Sequence, residues 1–177
     1  MYLNKSKNMP EKAKRNKVPP IYCAHDKMMP IEEMVEHPKN PNRHSPSQIM
    51  LLAKIIGGQG WRAPIVVSKL SGYIVAGHAR LNAAQLLELP NVPVNLQQFK
   101  SEADEISHLI ADNRIAELAT MNQSGLKELL IELDAGNVDM DFTGFTTQAL
   151  SELMEELDGP DPDKPKMICP HCGKQFS

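Results

Sequence analysis

The chain has 177 residues, 41% of them hydrophobic, which is enough for one ordinary domain with appendages. A two-domain enzyme and disorder throughout are both excluded at this length and composition. The formal charge of −3 is uneven: residues 1–17 hold six basic and one acidic side chains, whereas residues 102–163 hold two basic and sixteen acidic ones. A phosphate-binding face is therefore expected in roughly the first 100 residues.

The charge pattern and the prolines divide the chain into four parts. Residues 1–20 are expected to form a disordered basic arm, which is more simply a solvated tail than a DNA-binding segment. The domain itself should cover residues 21–120, followed by an acidic helical extension over residues 121–158. Residues 159–177 are expected to form a proline-rich linker and a zinc-knuckle-like tail.

The first elements of the domain surround a proline-rich loop. Two prolines exclude a regular helix from residues 37–44. Ser45 and Pro46 are a typical N-cap and first helical residue, and apolar residues then recur at helical spacing. The glycine pair at 57–58 predicts the end of this helix.

Two β-branched runs, residues 64–67 and 73–76, predict a hairpin. Gly77 follows the second run, and a helix is expected over residues 79–89. Pro90 ends that helix.

The next run, residues 92–96, predicts a short strand, and Pro93 within it indicates an edge position. A long helix should then run from Ser101 to Ala119, with Ile106, Leu109 and Ile110 on its inner face. Two further amphipathic helices are expected over residues 125–133 and 147–157.

Targeting signals are absent from the sequence. No stretch approaches the roughly 20 apolar residues of a membrane span, and the first residues lack the apolar region of a signal peptide. We therefore expect a cytoplasmic protein with no membrane partner. Three cysteines are an odd number, which favours metal binding or burial over disulfides.

Four arginines lie in four short polar islands between apolar elements: Arg43, Arg62, Arg80 and Arg114. The guanidinium group suits planar, bidentate recognition of phosphate or carboxylate. The pattern therefore predicts one convergent anion site. The alternative is that each arginine bridges loops through carbonyls and carboxylates.

Residues 77–80, of sequence GHAR, join a strand to a helix. Free N–H groups and the positive end of the helix dipole could hold a phosphate there, with Arg80 covering it. His78 could act as a general base, a metal ligand or a hydrogen-bond donor, or it could be purely structural.

Residues 112–114, of sequence DNR, interrupt an apolar helix, and Asn113 should point inward. A facing polar crevice would satisfy its carboxamide, and so would a neighbouring loop. Asp112 could help to hold a divalent ion, magnesium, on a phosphate.

Cys169 and Cys172 have the C-x-x-C spacing that lets two thiolates reach one zinc ion. Two ligands do not complete a tetrahedral site. Cys23 and His25 could supply the others, or a second chain could do so. The alternative is a tail without metal.

Five segments together resemble the ParB N-terminal, or ParB/sulfiredoxin, domain over about residues 28–120. In order they are residues 40–43, 60–67, 74–81, 92–94 and 111–114. The chain looks most like the phage and methyltransferase-associated branch of that family. The resemblance implies a compact α+β fold with a small mixed sheet and packed helices.

The resemblance also implies a site for a nucleoside triphosphate or a DNA backbone. The phosphate-binding residues would be Asn40, Asn42, Arg43, Gly77, His78, Arg80, Asn113 and Arg114. A sulfiredoxin is excluded, because His78 stands where that activity needs a cysteine. Partition proteins of the family continue into a helix-turn-helix, which the residues after Ala119 do not suggest.

These observations predict a phosphate- or nucleotide-binding domain in phage-type DNA processing. One alternative is a metal-dependent nuclease, or a triphosphatase, that uses Asp112 and His78. A single acid in the islands argues against a two-metal mechanism. Another alternative is a non-enzymatic adaptor whose acidic helices dock a DNA-packaging or methylating protein. A homodimer is compatible with each hypothesis.

Overall fold

The computed structural model describes residues 18–136, 138–145, 147–157, 167–168 and 175–176. In chain order the elements are β1 (Lys27–Pro30), β2 (Val35–Glu36), α1 (Pro46–Gln59), β3 (Ile65–Ser68), β4 (Tyr73–Ala76), α2 (His78–Leu86), β5 (Asn91–Gln97), α3 (Glu102–Leu118), α4 (Gln123–Ala135), α5 (Thr147–Leu157), β6 (Met167–Ile168) and β7 (Gln175–Phe176). Single 3-10 turns occupy Ile31–Glu33 and Met140–Thr143.

The first five strands form one mixed sheet in the order β1-β5-β3-β4-β2. β3 and β4 pair antiparallel, as the predicted hairpin requires. β5 lies between β1 and β3, so the prediction that Pro93 marks an edge strand is wrong. The proline is tolerated because β5 begins to pair with β3 at Val94, one residue later, and the missing N–H interrupts no bond of that ladder.

The core lies between this sheet and helices α1 and α2. Ile65 and Val94 are fully buried on the sheet, and Leu81 of α2 is 2% exposed. Trp61, at the end of the turn after α1, is equally buried. The α+β fold expected from the sequence is therefore confirmed. Among the described residues, a hydrophobic core cluster is formed by side chains between Ala53 and Val94.

Helix α1 begins as predicted and ends later than predicted. Ser45 and Gln48 form a reciprocal capping box, with Pro46 in the first turn. The helix continues through both glycines at 57–58 to Gln59, and Gly60 at φ 78° ends it. Tertiary packing explains Gly58, because an added Cβ there would lie 2.2 Å from the Phe142 ring.

The turn Met140–Thr143 is held on α1 by this contact and by charge. Lys54 Nζ lies 3.0 Å from Asp139 Oδ2 and also bonds Asp141. Gln59 Nε2 donates to the carbonyl of Phe142 at 3.1 Å. The start of the region after α4 is thus attached to the domain. We call residues 139–143 the strap.

Helix α3 buries two side chains, both in its first half. Ser101 caps it, Leu109 is fully buried and Glu105 is 1% exposed. Ile110, expected on the inner face, is 52% exposed, and Ile115 is 68% exposed. The helix contacts β4, but its last apolar residues, Ile115 and Leu118, remain exposed.

Several predictions concern residues outside this description. Residues 1–17 of the basic arm, most of the linker, and both Cys169 and Cys172 lie there. Over the part of the chain that is described, none of the helices is both long and apolar enough to cross a membrane.

Candidate phosphate-binding site

The junction of β4 and α2 brings a glycine and an arginine into contact. Gly77 adopts φ 96° and ψ 24°, the left-handed region that favours glycine, and is the N-cap of α2. A Cβ at this position would lie 2.9 Å from Arg80 Nη2 and 3.0 Å from its Nε. The guanidinium therefore folds back against the Gly77 backbone, at the positive end of the helix.

Arg80 is held here without its full set of partners. Its Nε is buried and has no hydrogen-bond acceptor among the described residues. Burial lowers the pKa of Arg80, while the negative charge of Asp112 acts in the opposite direction. A guanidinium stays charged in proteins, and a buried, under-paired charge is costly. An anionic ligand would remove that cost.

Two cavities meet at this junction. The smaller, of about 180 Å³, is lined by Asn40, Asn42, His44, Val75, Ala76, Gly77, His78, Ala79, Arg80, Asp112 and Asn113. The larger, of about 550 Å³, is lined by Glu36, His37, Pro38, Asn40, Asn42, Arg43, His44, His78 and Asn82. They share four side chains, so they adjoin and offer one elongated polar site of ligand size.

The loop after β2 supplies one wall of both cavities. Asn40 N donates to the carbonyl of His37 at 3.0 Å. Asn42 N donates to Asn40 Oδ1 at 3.1 Å. These short-range bonds form a compact turn that places Asn40, Asn42 and Arg43 at the larger cavity.

His78 is 7% exposed and lines both cavities. Burial lowers its pKa to about 4, and the nearby His37 and His44 add to the shift. The ring is therefore neutral at pH 7. Its Nε2 accepts a long hydrogen bond, 3.4 Å, from the His37 N–H.

Helix α3 contributes two of its three predicted residues. Asp112 and Asn113 line the smaller cavity. Asn113 Nδ2 donates to the carbonyl of Leu109 in its own helix at 2.9 Å, so it does not connect a neighbouring loop. Arg114 lines neither cavity and pairs with Glu117 at 2.9 Å.

The four arginines predicted to converge lie in different places. Arg43 lines the larger cavity and Arg80 lines the smaller one. Arg62 instead stacks over the Tyr22 ring, 4.3 Å from its centroid. Sequence reasoning missed His37, His44 and Asn82 as lining residues. Asn82 lies one turn after His78, and that spacing on α2 was a signal that could have identified it.

Comparisons with known proteins agree with this architecture. The family model of the ParB N-terminal domain matches residues 10–114. The chain belongs to the ParB N-terminal domain family. The ParB-like nuclease domain-containing protein YnaK of Escherichia coli (strain K12) is 35% identical over 65 residues, which are 37% of this chain and 74% of that protein.

A solved ParB structure has the same fold. The C-terminally truncated chromosome-partitioning protein ParB of Caulobacter crescentus, complexed with CTP-gamma-S, matches with a TM-score of 0.62 and 23% identity, over 76% of this chain and 79% of that one. The same protein complexed to the centromeric parS site matches with a TM-score of 0.43 and 21% identity, over 77% of this chain and 74% of that one. Of the five segments that resemble the family, residues 74–81 span the β4–α2 junction and residues 111–114 lie on α3.

Proposed function

We propose that the adjoining cavities bind a nucleoside triphosphate, with its phosphates in the smaller cavity. The observation that carries this proposal is Arg80, whose buried Nε has no acceptor among the described residues and whose guanidinium lies against Gly77 at the start of α2. Charge-assisted bonds from such a group and free N–H groups at a helix start are a common phosphate site. ParB of Caulobacter crescentus, which shares this fold, was crystallised with a CTP analogue.

The residues also fit a magnesium ion bound with the phosphates. Magnesium usually takes one or two carboxylates and completes its shell with phosphate oxygens and water. Asp112, beside Asn113 on the smaller cavity, would supply the carboxylate. The ion would neutralise phosphate charge, while Arg80 and the α2 N-terminus orient the phosphates.

The test is a titration with CTP, ATP, GTP and UTP, with and without magnesium, on wild type and Arg80→Ala. Loss of a charge-assisted contact should weaken binding roughly tenfold to a hundredfold, because such a bond contributes about 1.5–3 kcal/mol. Arg62→Ala is the matched control, since it removes the same charge at an exposed position away from the cavities. Arg80→Lys keeps the charge without the planar fork and should bind with intermediate affinity.

Two results would contradict the proposal. One is that no nucleotide binds wild type at millimolar concentration. The other is that Arg62→Ala weakens binding as much as Arg80→Ala does.

A nuclease is the second candidate, and two observations favour it. Asp112 and His78 line the same small cavity, and the relative YnaK is described as having a ParB-like nuclease domain. Within the described residues, however, no group of three or more His, Cys, Asp or Glu is arranged to hold a metal ion. His78 also has its Nε2 occupied by the His37 N–H. Cleavage of single- or double-stranded DNA by wild type, and not by Asp112→Asn, would support this candidate.

A further inference from the structure

A buried carboxylate lies beneath the larger cavity, and the binding residues described above do not include it. Glu105, in the first turns of α3, is 1% exposed. Ser68 Oγ donates to its Oε2 at 2.5 Å, and Ser71 Oγ donates to its Oε1 at 2.7 Å. His37 Nε2 lies 3.3 Å from Oε1. A carboxylate this deeply buried requires such a complete set of donors.

The serines exclude a nucleophile–base arrangement. In a hydrolase triad the hydroxyl bonds the histidine, and the carboxylate bonds the other side of the ring. Here both hydroxyls donate to the carboxylate instead. The cluster is therefore better suited to fixing His37 than to attacking a substrate.

The hydrogen bonds around His37 determine which of its ring nitrogens carries the proton. Its Nδ1 accepts from the Lys39 N–H at 3.1 Å, so the ring proton must be on Nε2, facing Glu105. The ring is 6% exposed and meets Tyr73 edge-on, with centroids 5.4 Å apart. The ring is thus held on three sides.

His37 in turn determines which ring nitrogen of His78 carries the proton. The His37 N–H points at His78 Nε2, at 3.4 Å, so a neutral His78 must carry its proton on Nδ1. The loop from His37 to Asn42 and helix α3 are tied together by the same carboxylate. One buried group therefore ties α3 to the loop that carries His37, and the His37 N–H in turn contacts His78 on α2.

We propose that Glu105, acting through His37, is a positioning residue that holds His78 as a neutral Nδ1–H hydrogen-bond donor for the phosphate ligand. This inference rests on the proposed nucleotide binding. It assigns His78 the role of donor rather than base, because Nε2 is occupied and Nδ1 carries the proton. It also assigns a role to a carboxylate that touches no ligand.

The tautomers can be measured without a ligand. Two-bond ¹H–¹⁵N correlation spectra of histidine-labelled full-length protein at pH 7 should show His37 protonated on Nε2 and His78 on Nδ1. In Glu105→Ala, the His78 pattern should change to a mixture of tautomers, and CTP affinity should fall about tenfold. Glu105→Gln keeps an oxygen acceptor for His37 and should show the wild-type His78 tautomer and the wild-type CTP affinity.

Glu102→Gln is the control on the same helix, because Glu102 is exposed and pairs with Lys39. It should leave the His78 signals and the CTP affinity unchanged. The inference is overturned if wild-type His78 carries its proton on Nε2, or if Glu105→Ala leaves the wild-type tautomer in place. If Glu105→Ala does not fold, the wild-type spectrum and Glu105→Gln decide.

The two proposals fail in different ways. Wild type with the stated tautomers but no affinity for any nucleotide would overturn the proposed function and with it the ligand role of His78. Nucleotide binding by a protein whose histidines show other tautomers would overturn this inference and leave the proposed function standing.

Discussion

Glycine is favoured at position 77 for two reasons: the backbone has a positive φ, and the Arg80 guanidinium fills the space that a side chain would need. Gly77 and Gly72 both have a positive φ, 96° and 79° respectively. A Cβ at Gly72 would meet nothing within 4 Å, whereas one at Gly77 would meet the Arg80 guanidinium. The pair therefore separates backbone strain from displacement of Arg80.

We expect Gly72→Ala to lower the free energy of unfolding by about 1 kcal/mol, from strain alone. Gly77→Ala should cost more and also weaken CTP binding at least tenfold, because Arg80 must move. Urea unfolding and calorimetric titration of both variants measure this. Equal losses in the two variants would show that Arg80 has room to adjust.

His78 gives the protein a defined response to acid. Its pKa is lowered to about 4 in the folded state, against about 6.5 when unfolded. Between these values the unfolded chain binds more protons, so stability is complete above pH 6.5 and decreases as pH falls toward 4. The loss should be about 1–2 kcal/mol once solvent screening is allowed for. His78→Gln should show a shallower pH dependence in urea unfolding over this range, and an unchanged slope would contradict it.

At the scale of elements, the strap packs closely on α1 at Gly58, where the absence of a side chain leaves room for the Phe142 ring. A Cβ at Gly58 would lie 2.2 Å from Phe142, whereas one at Gly57 would lie 3.9 Å from Leu87. Alanine raises helix propensity equally at both positions, by about 1 kcal/mol. Gly57→Ala should therefore stabilise the protein, and Gly58→Ala should not.

Displacement of the Phe142 ring can be observed directly. Gly58→Ala should increase protease cleavage near residues 139–143 while nucleotide affinity stays at the wild-type value, because the strap lines neither cavity. Proteolysis at the wild-type rate would show that the ring moves aside without loss of the contact.

Sequence reasoning succeeded for features of the elements that depend on local chemistry, and it failed for features that depend on tertiary packing. Ser45 fixes the start of α1 through its own side chain, so sequence alone located it. The glycines at 57–58 were read as breakers, yet Phe142, more than eighty positions later, explains Gly58. Pro93 and Ile110 were misjudged for the same reason: neighbouring strands and the extent of the sheet are long-range properties.

The candidate site divides in a similar way. Gly77 and Arg80 act within one turn, and their contact follows from the local pattern. Asp112 and Asn113 were found because polar residues interrupted an apolar helix. Glu105 was missed, since an acid in the first turns of a helix usually faces water and interacts with the helix dipole. Its partners Ser68 and His37 come from distant segments, which sequence spacing does not bring together.

For the molecule as a whole, a bound nucleotide should raise thermal stability by mass action. At a ligand concentration a hundred times Kd the gain is about 2.7 kcal/mol, or roughly 5–10 °C in Tm for a protein of this size. Tm should rise with the logarithm of CTP concentration in wild type, and the same rise should require tenfold to a hundredfold more CTP in Arg80→Ala. Coincident curves for the two proteins would place the ligand elsewhere.

The adaptor hypothesis concerns the acidic extension. Deleting residues 121–158 would also remove the strap and uncover α1, so the deletion would mix two effects. Neutralising Glu128, Glu132, Glu152 and Glu155 to glutamine leaves the strap intact. We expect this fourfold variant to fold as wild type and to lose retention on a basic protein partner, measured by co-elution at low salt.

Helix α3 is anchored at one end, and this has a consequence for its dynamics. Glu105 and Leu109 are buried, whereas Ile115 and Leu118 are more than half exposed, and Asp112 and Asn113 lie between the two regions. Amide hydrogens in the last turns should therefore exchange with solvent much faster than those near Leu109, because they open without disturbing the core. A ligand held by Asp112 and Asn113 would extend the slow-exchanging region along the helix, so exchange at residues 114–118 would report occupancy of a cavity that those residues do not line.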